Sequence, residues 1–215
     1  MVKTLYAYSV HEVSEEQGSF ELAIEAAKKA ISRAQIELDS IDLVLNASVS
    51  KMNHELSQHL SPSFASLIAE NLGINNAQSF DVSNACAGMV TALMIAESRI
   101  KSGQANYALI VSGEHITPII DEAKRRNLYL NPRAIPSLTV GDGAAAYILG
   151  PTEQEGRIKF SEPFTLAQHN LLCIGQACKN HRGPRMRTKA RELQNLQREV
   201  GFTQARYDAL LKEFE

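Results

Sequence analysis

At 215 residues the chain has room for one large domain or two small ones, and 44% hydrophobic with 21% charged residues is the composition of a folded protein, not a disordered one. Lys and Arg number 22 against 24 Asp and Glu, a formal charge of −2, so no basic excess points to nucleic acid. No apolar stretch reaches the roughly 18 residues of a membrane span, and the N-terminus lacks a signal-peptide core, which makes the cytoplasm the expected compartment.

The predicted elements alternate between strand and helix. Residues 4–10 read as a short strand, and residues 20–34 as a helix with Ala23, Ile24, Ala27 and Ile31 at helical spacing. Residues 42–47 (DLVLNA) are a buried-strand run. Ser61 and Pro62 read as an N-cap followed by proline at the first helical position, with Gly73 as the stop. A short strand at 79–82 leads into a strong helix at 87–101, ended by Ser102 and Gly103. The run from Tyr107 to Ser112 (YALIVS) is a second fully buried strand. A connection containing Pro118, Pro132 and Pro136 fills 114–138, and strands follow at 144–149 and 157–160. Two helices, 188–199 and 203–215, split at Gly201. The order predicts an α/β sheet between helices, with residues 1–160 as one compact unit and 161–215 as an appendage.

The chemistry concentrates in FDVSNACAGM, residues 80–89. A strand passes through a tight turn into a helix, and Cys86 stands at the helix N-terminus. Unpaired amides and the helix dipole there favour a thiolate and can hold an oxyanion. Ala85, Ala87 and Gly88 leave space for a substrate to approach. The competing reading is a buried structural cysteine, one of the residue types most often found inside proteins. Cys173 and Cys178 have no matching His or acidic ligands, and no metal site is expected.

DLVLNAS, SPSFASLIAENLGI, SFDVSNACAGMVTALMIAESRIKSG, YALIVSGE and LTVGDGAAAYIL occur in that order between Asp42 and about Phe160. In this the chain resembles the ketoacyl-acyl-carrier-protein synthase III family of thiolase-fold condensing enzymes. The resemblance implies the first half of a thiolase-like α/β/α layered sandwich, with a mixed sheet and the Cys86 helix buried at its centre. Residues 89–100 (MVTALMIAESRI) are close to apolar all round, as such a helix should be. It implies further that Cys86 takes an acyl group from a coenzyme A or carrier-protein thioester, its own amide forming half of the oxyanion hole, with no permanently bound cofactor. Ser61, Asn84 and Met89 become candidates for contact with the substrate, Ser61 by shaping a partner subunit's acyl pocket. Gly141, Asp142 and Gly143 match a structural turn in which glycine allows positive φ and close packing. The strand Tyr107 to Ser112 takes the place of a dimer-forming edge strand, in a homodimer or a heterodimer.

Three departures from the family pattern bear on function. The chain reaches Glu215 without the second-half motifs that carry the catalytic His and Asn; His169 and Asn170, adjacent in sequence, lie in the wrong region to replace them. There is no tryptophan, and residues 10–20 are too short and acidic to grip a nucleotide, which favours a carrier-protein donor over coenzyme A. The connection 114–138 is longer than in the fatty-acid enzymes and resembles the secondary-metabolism members. A basic stretch without acids between Glu162 and Glu192 includes Arg182, Arg185, Arg187 and Lys189, candidates for docking an acidic carrier protein, against the plainer reading of a solvated charged segment. The resulting expectation is an acyltransferase that needs a second half from a partner or a longer product. Its rival is a non-catalytic structural partner of an active homologue.

Overall fold

The computed structural model describes residues 10–14, 16–55, 57–118, 120, 139–152, 158, 161 and 163–167. The strand expected at 4–10 (but for Val10), most of the connection 114–138, and both helices after 188 lie outside the described residues. So do His169, Asn170, Cys173, Cys178, Arg182, Arg185, Arg187 and Lys189. The elements described below all belong to one compact unit, Met1–Ser161.

Among the described residues this unit holds three α-helices and four strands: α1 (Ser19–Ala34), β1 (Ile41–Asn46), α2 (Phe64–Leu72), β2 (Gln78–Asp81), α3 (Gly88–Lys101), β3 (Tyr107–Glu114) and β4 (Gly143–Leu149). The strand order is β2-β1-β3-β4. β1 runs parallel to both β2 and β3, and β4 returns antiparallel to β3, so the sheet is mixed. Each parallel step is made through a helix, as a crossover requires.

Side chains alternate across β1 and β3, and that alternation builds two cores. Val44, Leu109 and Val111 face α1 and α2, meeting Ala23, Ala27, Phe64 and Ile68. Leu43, Leu45, Ala108 and Ile110 face α3, meeting Ala92 and Ala96. Strands covered on both faces read as unbroken apolar runs, which is why DLVLNA and YALIVS were legible. The result is an α/β/α sandwich. Among the described residues no helix is long and apolar enough to cross a membrane.

Three expectations are corrected. β3 is not an edge strand: it lies between β1 and β4, and Ala108 to Val111 are wholly buried. A run with no charge on either face is the mark of an interior strand, since edges are kept polar or bulged. Among the described strands the edges are β2 and β4.

α2 is capped two residues later than Ser61 and Pro62 suggested. Ser63 is its N-cap, the hydroxyl accepting the Ser66 amide at 3.1 Å, and Ser61–Pro62 is a cis peptide in the preceding turn. The Asp81 carboxylate at the end of β2 accepts the Phe64 and Ala65 amides at 3.1 and 2.9 Å, and this fixes where the helix can start. Gly73, in the left-handed conformation at φ 78°, closes it.

α3 packs on the sheet as the layered sandwich requires. Ala92 and Ala96 press on the sheet, while Val90 on another side is 60% exposed. Small residues line the face that meets β1 and β3, and Met89, Leu93, Ile95 and Ile100 flank it, packed against the same core.

Finally, neither Gly141 nor Gly143 has positive φ. A Cβ at Gly141 would come within 3.1 Å of the His11 backbone nitrogen, whereas one at Gly143 would meet open space. Close approach to residue 11, not turn conformation, is what Gly141 supplies.

Candidate active site

In sheets with parallel strands, ligand sites form beyond the carboxyl ends, where the chain leaves each strand. Here β1, β2 and β3 end side by side, and the segments 47–50 and 82–87 leave from adjacent ends. Two backbone bonds carry the ladder slightly further, Val82 N–H to Asn46 O and Ala47 N–H to Val111 O, both at 2.8 Å. Past these the chain turns away, and the turn contains Cys86.

Cys86 is an exposed free thiol in the 3-10 turn Ala85–Ala87, directly before α3. Ala85 sits at φ 42°, a left-handed conformation that costs a residue with a Cβ about 1 kcal/mol or more. The surroundings hold it there. Ala87 N–H donates to Asn84 O at 3.0 Å, and the Asn84 side-chain amide donates to Thr91 Oγ1 at 2.7 Å. Thr91 in turn donates to Ala87 O at 3.0 Å. Gly88 lets the turn settle against β1, since a Cβ there would lie 3.2 Å from Ala47 O.

A cleft of about 180 Å³ opens beside this turn, lined by Ser48, Val49, His59, Leu60, Ser83 and Ala85 among others. The candidates for substrate contact are distributed unevenly around it. Asn84 lines the cleft, but its amide group is engaged in bracing the Cys86 turn. Leu60, 84% exposed, lines it where Ser61 does not. Met89 packs with the α3-side core, and its carbonyl accepts the Tyr147 hydroxyl at 2.7 Å, tying β4 to the start of α3.

Polar groups the sequence reading did not single out organise the surroundings. Asp81 is central. Besides the two α2 amides it accepts Lys51 Nζ at 2.7 Å and the Asn46 amide at 3.2 Å. Burial pushes its carboxyl up, but the Lys51, Ala65, Phe64 and Asn46 hydrogen bonds together outweigh this and hold it below the usual 3.8. Glu114 accepts the Val49 and Ser50 amides at 2.7 and 2.9 Å. His115 is buried, its amide shared between the Ser19 and Ser50 hydroxyls and its Nδ1 without a partner among the described residues. An acid placed where an apolar strand ends was the available signal for both Asp81 and Glu114.

Asp142 ties three segments together. Its carboxylate accepts the Ile116 and Thr117 amides at 2.6 and 2.8 Å, the Val13 amide at 3.0 Å, and the Thr117 hydroxyl. Burial alone would raise its carboxyl, yet these bonds carry it below 3.8. A carboxyl depressed in the folded state stabilises fully above its ordinary value, and that contribution is lost as pH falls through the folded one. Asp142→Asn should therefore flatten the loss of stability below about pH 4, read as thermal melts against pH; an unchanged acid limb would show the anchor is not titrating. Among the described residues no group of three or more His, Cys, Asp and Glu could hold a metal.

Residues 80–162 match the family described as 3-oxoacyl-[acyl-carrier-protein (ACP)] synthase III. The beta-ketoacyl-[acyl-carrier-protein] synthase III of Clostridium perfringens strain 13 is 35% identical over 147 residues, 68% of this chain and 41% of the relative. That of Sulfurovum sp. strain NBC37-1 is 35% identical over 145 residues, 67% of this chain and 38% of the relative. The chain thus spans about 41% of the length of the first of these. Among solved structures, cerulenin-bound Xanthomonas campestris OleA aligns with a TM-score of 0.58 at 29% identity, over 65% of this chain and 43% of that one. The acetamide-bound form aligns at 0.57, also at 29% identity, over the same shares. With its mixed sheet between helices, the N-terminal part of the chain has a thiolase-like α/β fold and is similar to the 3-oxoacyl-ACP synthase III condensing enzymes.

Proposed function

We propose that this chain is the acyl-accepting part of a condensing enzyme and that Cys86 is its nucleophile. The observation that carries the reading is an exposed cysteine, held in a braced strand-to-helix turn, inside the segment 80–162 matched to the synthase III family. The Cys86 thiolate attacks a thioester carbonyl, with the Cys86 amide supporting the developing oxyanion. The carbon–sulfur bond to the carrier then breaks, and the departing thiolate takes up the proton that Cys86 gave away. Transfer of the acyl group from Cys86 to a second nucleophile completes the cycle.

Relatives named as beta-ketoacyl-[acyl-carrier-protein] synthases support a carrier-protein thioester as donor, and no resident cofactor is invoked. We assign the family's His and Asn, and the rest of the oxyanion hole, to a second half, since the chain spans about 41% of the first relative. That half comes from a partner or from the remainder of a longer product. Docking of the carrier falls to Arg182, Arg185, Arg187 and Lys189. Pairing between copies falls to β2, the sheet edge nearest the Cys86 turn.

Incubation with a radiolabelled acyl thioester tests the first step. Wild type should retain label through denaturation, and Cys86→Ala should lose essentially all of it. Equal labelling would end the nucleophile assignment and leave the structural-partner reading in its place.

A further inference from the structure

Glu114 is a carboxylate with no obvious task in an acyl transfer, yet its bonding is directed at the cleft. The segment leaving β1 has no strand to pair with beyond residue 47, and its amides need acceptors. Glu114, at the end of neighbouring β3, provides them. One oxygen accepts the Val49 amide at 2.7 Å and the Ser112 hydroxyl at 3.0 Å. The other accepts the Ser50 amide at 2.9 Å and the Ser50 hydroxyl at 2.7 Å. Among the described residues no Lys or Arg pairs with it. Four donors, two backbone amides and two hydroxyls, therefore converge on one carboxylate.

The segment so held is a wall of the cleft beside Cys86. Ser48 and Val49 line it together with Ser83 and Ala85, and Val49 is 54% exposed. Val49 is thus placed by its own amide, not by burial. We propose that Glu114 is a positioning residue for the acyl substrate: through the Val49 and Ser50 amides it fixes Val49 as the part of the cleft wall against which the acyl group lies while Cys86 attacks. The inference rests on the acyl-transfer reading above and adds to it a determinant of substrate affinity outside the Cys86 turn.

Glu114→Gln swaps one acceptor oxygen for an NH2 that faces two donors, so the wall loses its anchor while side-chain size is kept. The full chain is titrated with a radiolabelled acetyl thioester, and label on Cys86 is followed against concentration. The half-saturating concentration should rise roughly tenfold in Glu114→Gln, with the rate at saturation within about twofold of wild type. Glu114→Asp, which keeps the charge, should recover part of the loss. Val49→Ala, at an exposed side chain that the fold does not need, should shift half-saturation the same way by a smaller factor. Iodoacetamide alkylation of Cys86, which needs no wall, should proceed equally in all of them. Unchanged half-saturation in both Glu114→Gln and Val49→Ala, or Glu114→Asp no better than Glu114→Gln, would overturn the proposal while wild-type labelling still stands. Wild type that is alkylated but never acylated would overturn the acyl-transfer reading, and this inference with it.

Discussion

Gly113→Ala is expected to destabilise the chain by about 3 kcal/mol, a large share of an ordinary stability of about 5–15 kcal/mol. Gly113 lies buried near the end of β3, where α1 begins directly against it. A Cβ there would stand 2.2 Å from Ser19 O and 2.7 Å from Ala23 N. Both are backbone atoms of the first helical turn, so no side chain can rotate out of the way; α1 would have to lift from the sheet. Lifting it would open the core in which Ala23 and Ala27 meet Val44 and Val111, and pull Ser19 from the Ser50 hydroxyl. Gly143→Ala is the control: it stands across the ladder from Glu114, with nothing within 4 Å of a new Cβ, and should change stability by no more than about 0.5 kcal/mol. Urea unfolding of the two variants decides it. Similar midpoints for both would mean that α1 does not pack on β3 as closely as described.

Asp81→Ala is the second large effect, expected at about 3 kcal/mol. The carboxylate joins β1, β2, α2 and Lys51 at a single point. Its removal leaves Lys51, whose side chain is 23% exposed, without its anion, and strips the first two α2 amides of their acceptor. Since Asp81 is followed directly by the turn that leads to Cys86, the loss should reach the site as well as the stability. Asp81→Asn keeps an acceptor but not the charge and should fall between. A loss under about 1 kcal/mol in Asp81→Ala would show that water replaces these bonds readily.

What could be read in the sequence was whatever depends on period and on local chemistry. The apolar runs at 42–47 and 107–112 marked interior strands because both faces are covered, and the spacing of Ala23, Ile24 and Ala27 marked the buried face of α1. Gly73 and Gly103, both at positive φ, ended helices as their residue type suggests. What failed depended on neighbours distant in the chain. Burial of Tyr107 to Ser112 does not say which strands flank it, and only the fold places it between β1 and β4. Ser61 and Pro62 carry a helix-start signal, but the helix begins where Asp81, 17 residues beyond Phe64, can accept its amides. Asn84 was legible as a residue of the site, whereas its engagement with Thr91 depends on the helix being in place. Asp81 and Glu114 gave only an acid at a strand end; their importance comes from donors brought to them by the fold.

The most direct measurement of the central claim is peptide mass mapping after incubation with an acyl thioester. The chain holds three cysteines, so Cys173 and Cys178 serve as internal controls in the same digest. The account predicts the acyl mass on the peptide containing Cys86 alone, removable by hydroxylamine as a thioester should be. Acyl groups spread over all three cysteines, or found on another residue in wild type and Cys86→Ala alike, would contradict it.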